Sequence, residues 1–221
     1  MITVKITGVD AVKAHLAGLG KQVAFAAAQA LTQTAGKIKD ATPAELDKAL
    51  DRPVAFTKRG LFVRRATRAN LTAVVGFMPA QAAYMRYQIE GGTRNPGAGG
   101  LKLPVAINTD AFGNIPKGII GKLIAVARKE RKLAKATTRR IKVSNKVELF
   151  YGDPKDQTGK DWPRGIYKAV EGRLIPLVVF PNKPARYKPR FDFQRFGATI
   201  ARREFDALFA AALKNALATA R

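Results

Sequence analysis

A chain of 221 residues, 47% of them hydrophobic, has material for one large domain or for one domain carrying a long insertion, and is too apolar to be disordered throughout. It has no cysteine, which excludes disulfides, thiolate metal sites and a cysteine nucleophile, and its single histidine, His15, cannot build a histidine-rich metal centre. Against 16 Asp and Glu stand 40 Lys and Arg, a net charge of +24 that polyanions or acidic protein surfaces would relieve.

Ile2, Val4 and Ile6 alternate with polar residues, the period-two pattern of a half-buried strand. Gly8 ends it, and Asp10 stands where a helix N-cap belongs. Val12, Leu16, Leu19, Val23, Ala27, Leu31 and Ile38 then recur at helical spacing, with Gly18 and Gly20 predicted to divide a short helix from a long, alanine-rich one. Thr42-Pro43-Ala44-Glu45 reads as a fresh start: an N-cap, proline at the first position and an acidic first turn, opening a short helix that ends near Leu50. No segment approaches the length of apolar sequence that spans a bilayer; the longest candidate, Val23 to Leu31, is interrupted by Gln29. The N-terminus lacks the basic-then-apolar layout of a secretion signal, so assembly in a cytoplasm is expected.

Leu61 to Ala66 and Leu71 to Phe77 read as two strands joined by a turn at Thr67 to Asn70, a hairpin. Pro79 starts a helix carrying Ala83, Tyr84, Tyr87 and Gln88, stopped by Gly91 and Gly92. A Gly/Pro-rich loop, 91–116, follows. Its first ten residues lack the spacing of a phosphate-binding loop, and are expected to order on assembly instead. A helix from about Lys117 presents Ile119, Ile120, Leu123, Ile124 and Val126 on one side and runs into the densest basic run of the chain, within an insertion or arm at 128–146. Arg128, Lys129, Arg131, Lys132, Arg139 and Arg140 are the candidate residues for an anionic partner or DNA; the competing reading is a solvated insertion.

Val147 to Gly152 and Ile166 to Val170 read as strands, separated by a polar excursion holding the single tryptophan, Trp162. Asp153, Asp156 and Asp161 cluster there among Lys155, Lys160 and Arg164, without the closing glutamate of a calcium loop, so no metal site is assigned. Leu174 to Phe180 is apolar enough for a buried strand, with Pro176 demoting it to an edge or a bulge. Pro181 to Pro189 is basic, proline-rich and extended. At 190–221 a C-terminal amphipathic helix carries Phe193, Phe196, Phe205 and Phe209, expected to pack against the sheet, with a partner-facing groove as the other use of the phenylalanines.

The fold expected is α+β, a single domain over 1–221: a mostly antiparallel sheet packed by long N-terminal and C-terminal helices, with a basic insertion. Titratable groups do not converge, and no nucleophile elbow, zinc-protease helix or kinase signature is present, so neither catalytic nor cofactor-binding residues are assigned.

Several segments, in order, resemble the tail-completion and minor tail proteins of tailed bacteriophages, of the protein Z-like kind. These are the opening strand with Gly8-Val9-Asp10 and the alanine-rich helix; Arg52 to Gly60; Arg65-Ala66-Thr67 with Leu71 to Val75; Tyr84 to Arg94; Phe112 to Gly118; and the phenylalanine-rich C-terminal helix. The basic run from Arg128 to Lys142 and the Trp162 loop depart from the pattern. The resemblance implies a virion structural protein of the tail or neck, not an enzyme, assembled in the host cytoplasm. It would form a homo-oligomeric ring or collar with other tail or neck proteins, with packaged double-stranded DNA nearby, no sequence readout and no membrane. Thr93, Arg94, Asn95, Pro96, Arg186, Tyr187 and Lys188 are then the candidate subunit contacts. The rival reading, carried by charge alone, is a cellular nucleic-acid-binding protein of ribosomal or chromatin type.

Overall fold

The computed structural model describes residues 3–6, 20–97, 100–137, 149–154, 162–170 and 173–219, with backbone alone at 4–6 and 131–137. The chain is α+β. Where the sequence reading gives one domain, the contacts divide into two compact units: Met1–Gly92 with Tyr187–Arg221, and Thr93–Arg186.

In the first unit β3 (Ala73–Phe77) is flanked by β1 (Thr3–Ile6) and β2 (Leu61–Arg64), both antiparallel to it. The expected hairpin is β2–β3. Its turn is closed by reciprocal backbone bonds between Thr67 and Asn70, with the Thr67 hydroxyl accepting from the Asn70 N–H at 3.0 Å. Helices α1 (Gly20–Ala49) and α5 (Phe193–Ala218) cover this sheet, with α2 (Ala55–Arg59) and α3 (Pro79–Ile89) at its border.

Helix α1 forms because its buried residues follow one face: Val23, Ala27, Leu31, Ala35, Ile38, Thr42 and Leu46. Its buried hydroxyls bond back one turn, Thr34 to the Ala30 carbonyl at 2.8 Å and Thr42 to that of Ile38 at 2.6 Å. The expected restart at Thr42-Pro43 does not occur; the helix runs through Pro43 to Ala49. Ile38, Thr42 and Leu46 lie on one stripe spanning the proline, so burial holds the helix together there. Lys39, whose carbonyl Pro43 leaves without a helical donor, is exposed. The expected break at Gly18 and its flanking residues, His15 included, lie outside the described residues.

Helix α5 opens on Asp192, whose carboxylate accepts from the Arg195 N–H at 2.9 Å. Of its four phenylalanines one is core and three are half-buried against it. Phe193 is fully buried 5.3 Å from Phe77, ring to ring, while Phe196, Phe205 and Phe209 pack against the same cluster. The helix rests on β1 and also lies along α1, where Ala26, Ala212 and Ala216 bring the two backbones close.

In the second unit the strand order is β5 (Leu103–Pro104), β8 (Arg173–Val179), β7 (Gly165–Val170), β6 (Leu149–Gly152), all antiparallel. One face carries α4 (Ile119–Thr137), with Ile120, Leu123 and Ile124 packed on Ile166, Val178 and Phe180. Phe150 on β6 and Trp162, ahead of β7, lie 6.3 and 5.7 Å from the ring of Tyr167 on β7. Of the edge or bulge expected at Pro176, the structure has the bulge, and β8 is paired with both β5 and β7. The register shifts between Ile166 and Tyr167, so that Val178 faces Ile166 and Pro176 faces Tyr167. The bulge accommodates the missing donor. Gly165 is required here: a Cβ would stand 2.6 Å from the Val178 carbonyl oxygen.

Candidate functional site

Helix α4 has two chemically different sides. Its apolar side meets the sheet, and Lys122, Arg128 and Lys129 are exposed. Glu130, its single acidic residue, accepts a hydrogen bond from the backbone N–H of Leu149 at 3.0 Å. Edge strand β6 is thereby tied to the helix, and the carboxylate is occupied there.

Arg128 is less free than the sequence suggests. Its guanidinium lies 5.7 Å from the centroid of the Tyr151 ring, and that of Arg164 lies 5.3 Å from the same ring. Both arginines are exposed, and among the described residues neither has an ion-pair partner. Of the six residues expected to face an anionic partner, the structure places Arg128 and Lys129 on α4. It continues the same helix through Arg131 and Lys132, whose side chains, with all of Arg139 and Arg140, lie outside the described residues. Tyr151 and Arg164 were not among the sequence candidates, and nothing in spacing marks them, because β6 and the residue before β7 meet α4 only in the fold.

The candidate subunit contacts behave differently. Segment 91–116 is not wholly loop: it contains β4 (Gly92–Arg94) and β5. The extended arm contains β9 (Ala185–Tyr187), and β4 and β9 are hydrogen-bonded as a two-stranded ribbon. Thr93, Arg94, Asn95, Arg186 and Lys188 are exposed; Pro96 and Tyr187 are half-buried. Tyr187 packs on Tyr87 with ring centroids 5.4 Å apart, and the Arg86 guanidinium sits 4.6 Å from the Tyr87 centroid. The N–H groups of Arg190 and Phe191 both donate to the Gln88 carbonyl, at 2.7 and 3.1 Å. This anchors the chain after β9 to the end of α3.

Among the described residues no group of three or more His, Asp or Glu is placed to hold a metal, and no helix is long and apolar enough to cross a membrane. Tyr167 has a pKa raised above its ordinary value, first by burial and then by the carboxylate of Asp153. Its hydroxyl donates to the Pro163 carbonyl.

Comparison of the chain with protein-family models, with curated proteins and with solved structures finds no match in any of the three.

Proposed function

We propose that this chain is a structural subunit of a tailed-bacteriophage tail or neck, assembling as a ring or collar around the DNA path. The observation that carries the reading is the β4–β9 ribbon. Two segments distant in sequence bring exposed Thr93 and Arg94 of β4 and Arg186 of β9 together within the second unit. Such a short, exposed, charged pair of strands suits contact with an identical neighbour. The ordered resemblance along the sequence and the +24 charge, tolerable beside DNA without base readout, support the same reading. Size-exclusion chromatography with light scattering tests it. The native chain is expected to form oligomers, and Arg94→Glu with Arg186→Glu to reduce them. A chain monomeric at every concentration, salt and DNA condition tried contradicts the proposal.

A second reading, a basic nucleic-acid-binding protein, is favoured by one specific feature, the exposed Arg128 and Arg164 converging on Tyr151. It requires binding that weakens steeply with salt and needs no oligomer.

A further inference from the structure

Helices α1 and α5 run antiparallel. Ala26 packs with Ala212 and Ala216 near one end, and the residues around Ala44 face those around Phe196 near the other. At this second end they leave an open groove of about 530 Å³ lying wholly within the first unit. Its floor is apolar: Ala41, Ala44 and Ala49 on α1 and Phe196 and Ile200 on α5. Ala44 is exposed and Phe196 half-buried, so small side chains leave room above a large aromatic one.

The charges at the groove are unequal in freedom. Lys48 pairs with Glu45 at 3.2 Å and Arg203 with Glu204 at 2.8 Å, while the Asp192 carboxylate caps α5. Arg190 and Arg195 are exposed, and among the described residues neither has an ion-pair partner. The groove therefore offers an apolar floor beside two unneutralised guanidiniums.

We propose that this groove docks an acidic amphipathic helix of a partner protein, its apolar stripe on the floor and its carboxylates on Arg190 and Arg195. Charge complementarity selects the occupant, because a chain of +24 gains most from an acidic partner. Two features favour protein over nucleic acid. The floor is apolar, which matches the apolar stripe of a helix and offers nothing to a phosphate backbone, and it lies beside only two unpaired guanidiniums rather than an extended basic track. The assignment rests on the first unit alone and does not depend on the virion reading.

The test is fluorescence anisotropy with the full chain and a labelled, helix-forming peptide bearing leucines three and four residues apart, flanked by glutamates. A matched peptide has lysines in place of the glutamates. The acidic peptide is expected to bind saturably and the lysine peptide not. Arg190→Glu with Arg195→Glu should weaken binding about tenfold. Ala44→Trp, which fills the groove without altering charge at an exposed site, should do likewise. Lys21→Glu with Lys214→Glu, the same change in net charge at the other end of the helix pair, should leave binding within about twofold; circular dichroism checks the fold of each variant. Absence of binding overturns the proposal, as does equal weakening by both charge reversals, or acidic-peptide binding that ignores Ala44→Trp. A DNA duplex that requires Arg190 and Arg195 where the peptide does not also overturns it, assigning the arginines to nucleic acid.

Discussion

Glu130 accepts the backbone N–H of Leu149 at 3.0 Å, so the single carboxylate of α4 is committed to holding edge strand β6. Glu130→Ala leaves that N–H without its partner and is expected to cost about 1–2 kcal/mol, the scale of a charged hydrogen bond partly exposed to water. Glu130→Gln, which retains an acceptor, should cost less than half of that. Urea denaturation measures both, and amide exchange at Leu149 should accelerate in the alanine variant alone.

Gly60 packs under Gln81, and a Cβ there would stand 2.2 Å from the Gln81 side chain. That side chain is buried, its Nε2 donates to the Phe56 carbonyl at 3.0 Å, and its Oε1 has no protein partner among the described residues. Gly60→Ala is therefore expected to destabilise by about 1–3 kcal/mol. The cost should be largely relieved when Gln81→Ala removes the obstructing atoms. A double-mutant cycle gives the coupling, and additivity of the two substitutions would refute the account of this contact.

Pro43 interrupts the hydrogen-bond ladder of α1 while Ile38, Thr42 and Leu46 stay buried on either side of it. Pro43→Ala restores the missing donor and removes the ring, so the urea midpoint should rise, by an amount equivalent to about 1–3 kcal/mol. A fall in the midpoint would mean that the helix is shaped by its proline rather than held in spite of it.

Tyr167 titrates above its ordinary value because burial, and then Asp153, disfavour the phenolate. The folded state holds this proton more tightly than the unfolded chain. The associated stability is therefore fully present below about pH 10 and is lost as pH rises from there through the folded pKa. Lysine deprotonation in the same range changes the charge repulsion of the whole chain, so the informative quantity is the difference between the native protein and Tyr167→Phe. That difference, from denaturation at several pH values, should shrink above about pH 10; a constant difference would contradict the assignment.

Much of the architecture is legible where a segment carries its own periodicity. The β2–β3 hairpin announces itself through alternation and a Thr-to-Asn turn, α4 and α5 through their apolar stripes, and α3 through Pro79 at its start and glycines after its end. What escapes the sequence depends on partners distant along the chain. Thr42-Pro43 has every local mark of a helix start, yet the shared burial of Ile38 and Leu46 keeps α1 continuous. Pro176 leaves an edge or a bulge open, and only the pairing of β8 with both β5 and β7 decides for the bulge. The five-residue helix α2 is too short for a periodic signal.

The candidate residues divide in the same way. Basic residues at Arg128 and Lys129 are visible as a run, whereas their relation to Tyr151 and Arg164 requires the sheet. Thr93, Arg94 and Arg186 were legible as exposed arms, and only the β4–β9 pairing makes them one surface.

The central claim, assembly into a ring around DNA, is tested most directly by negative-stain electron microscopy of the purified chain at low and high salt, with and without double-stranded DNA. The account predicts closed rings of uniform diameter, free or templated by DNA, that are lost with Arg94→Glu and Arg186→Glu. Monomers that coat DNA irregularly and leave it as salt rises would contradict it and transfer the assignment to a nucleic-acid-binding protein.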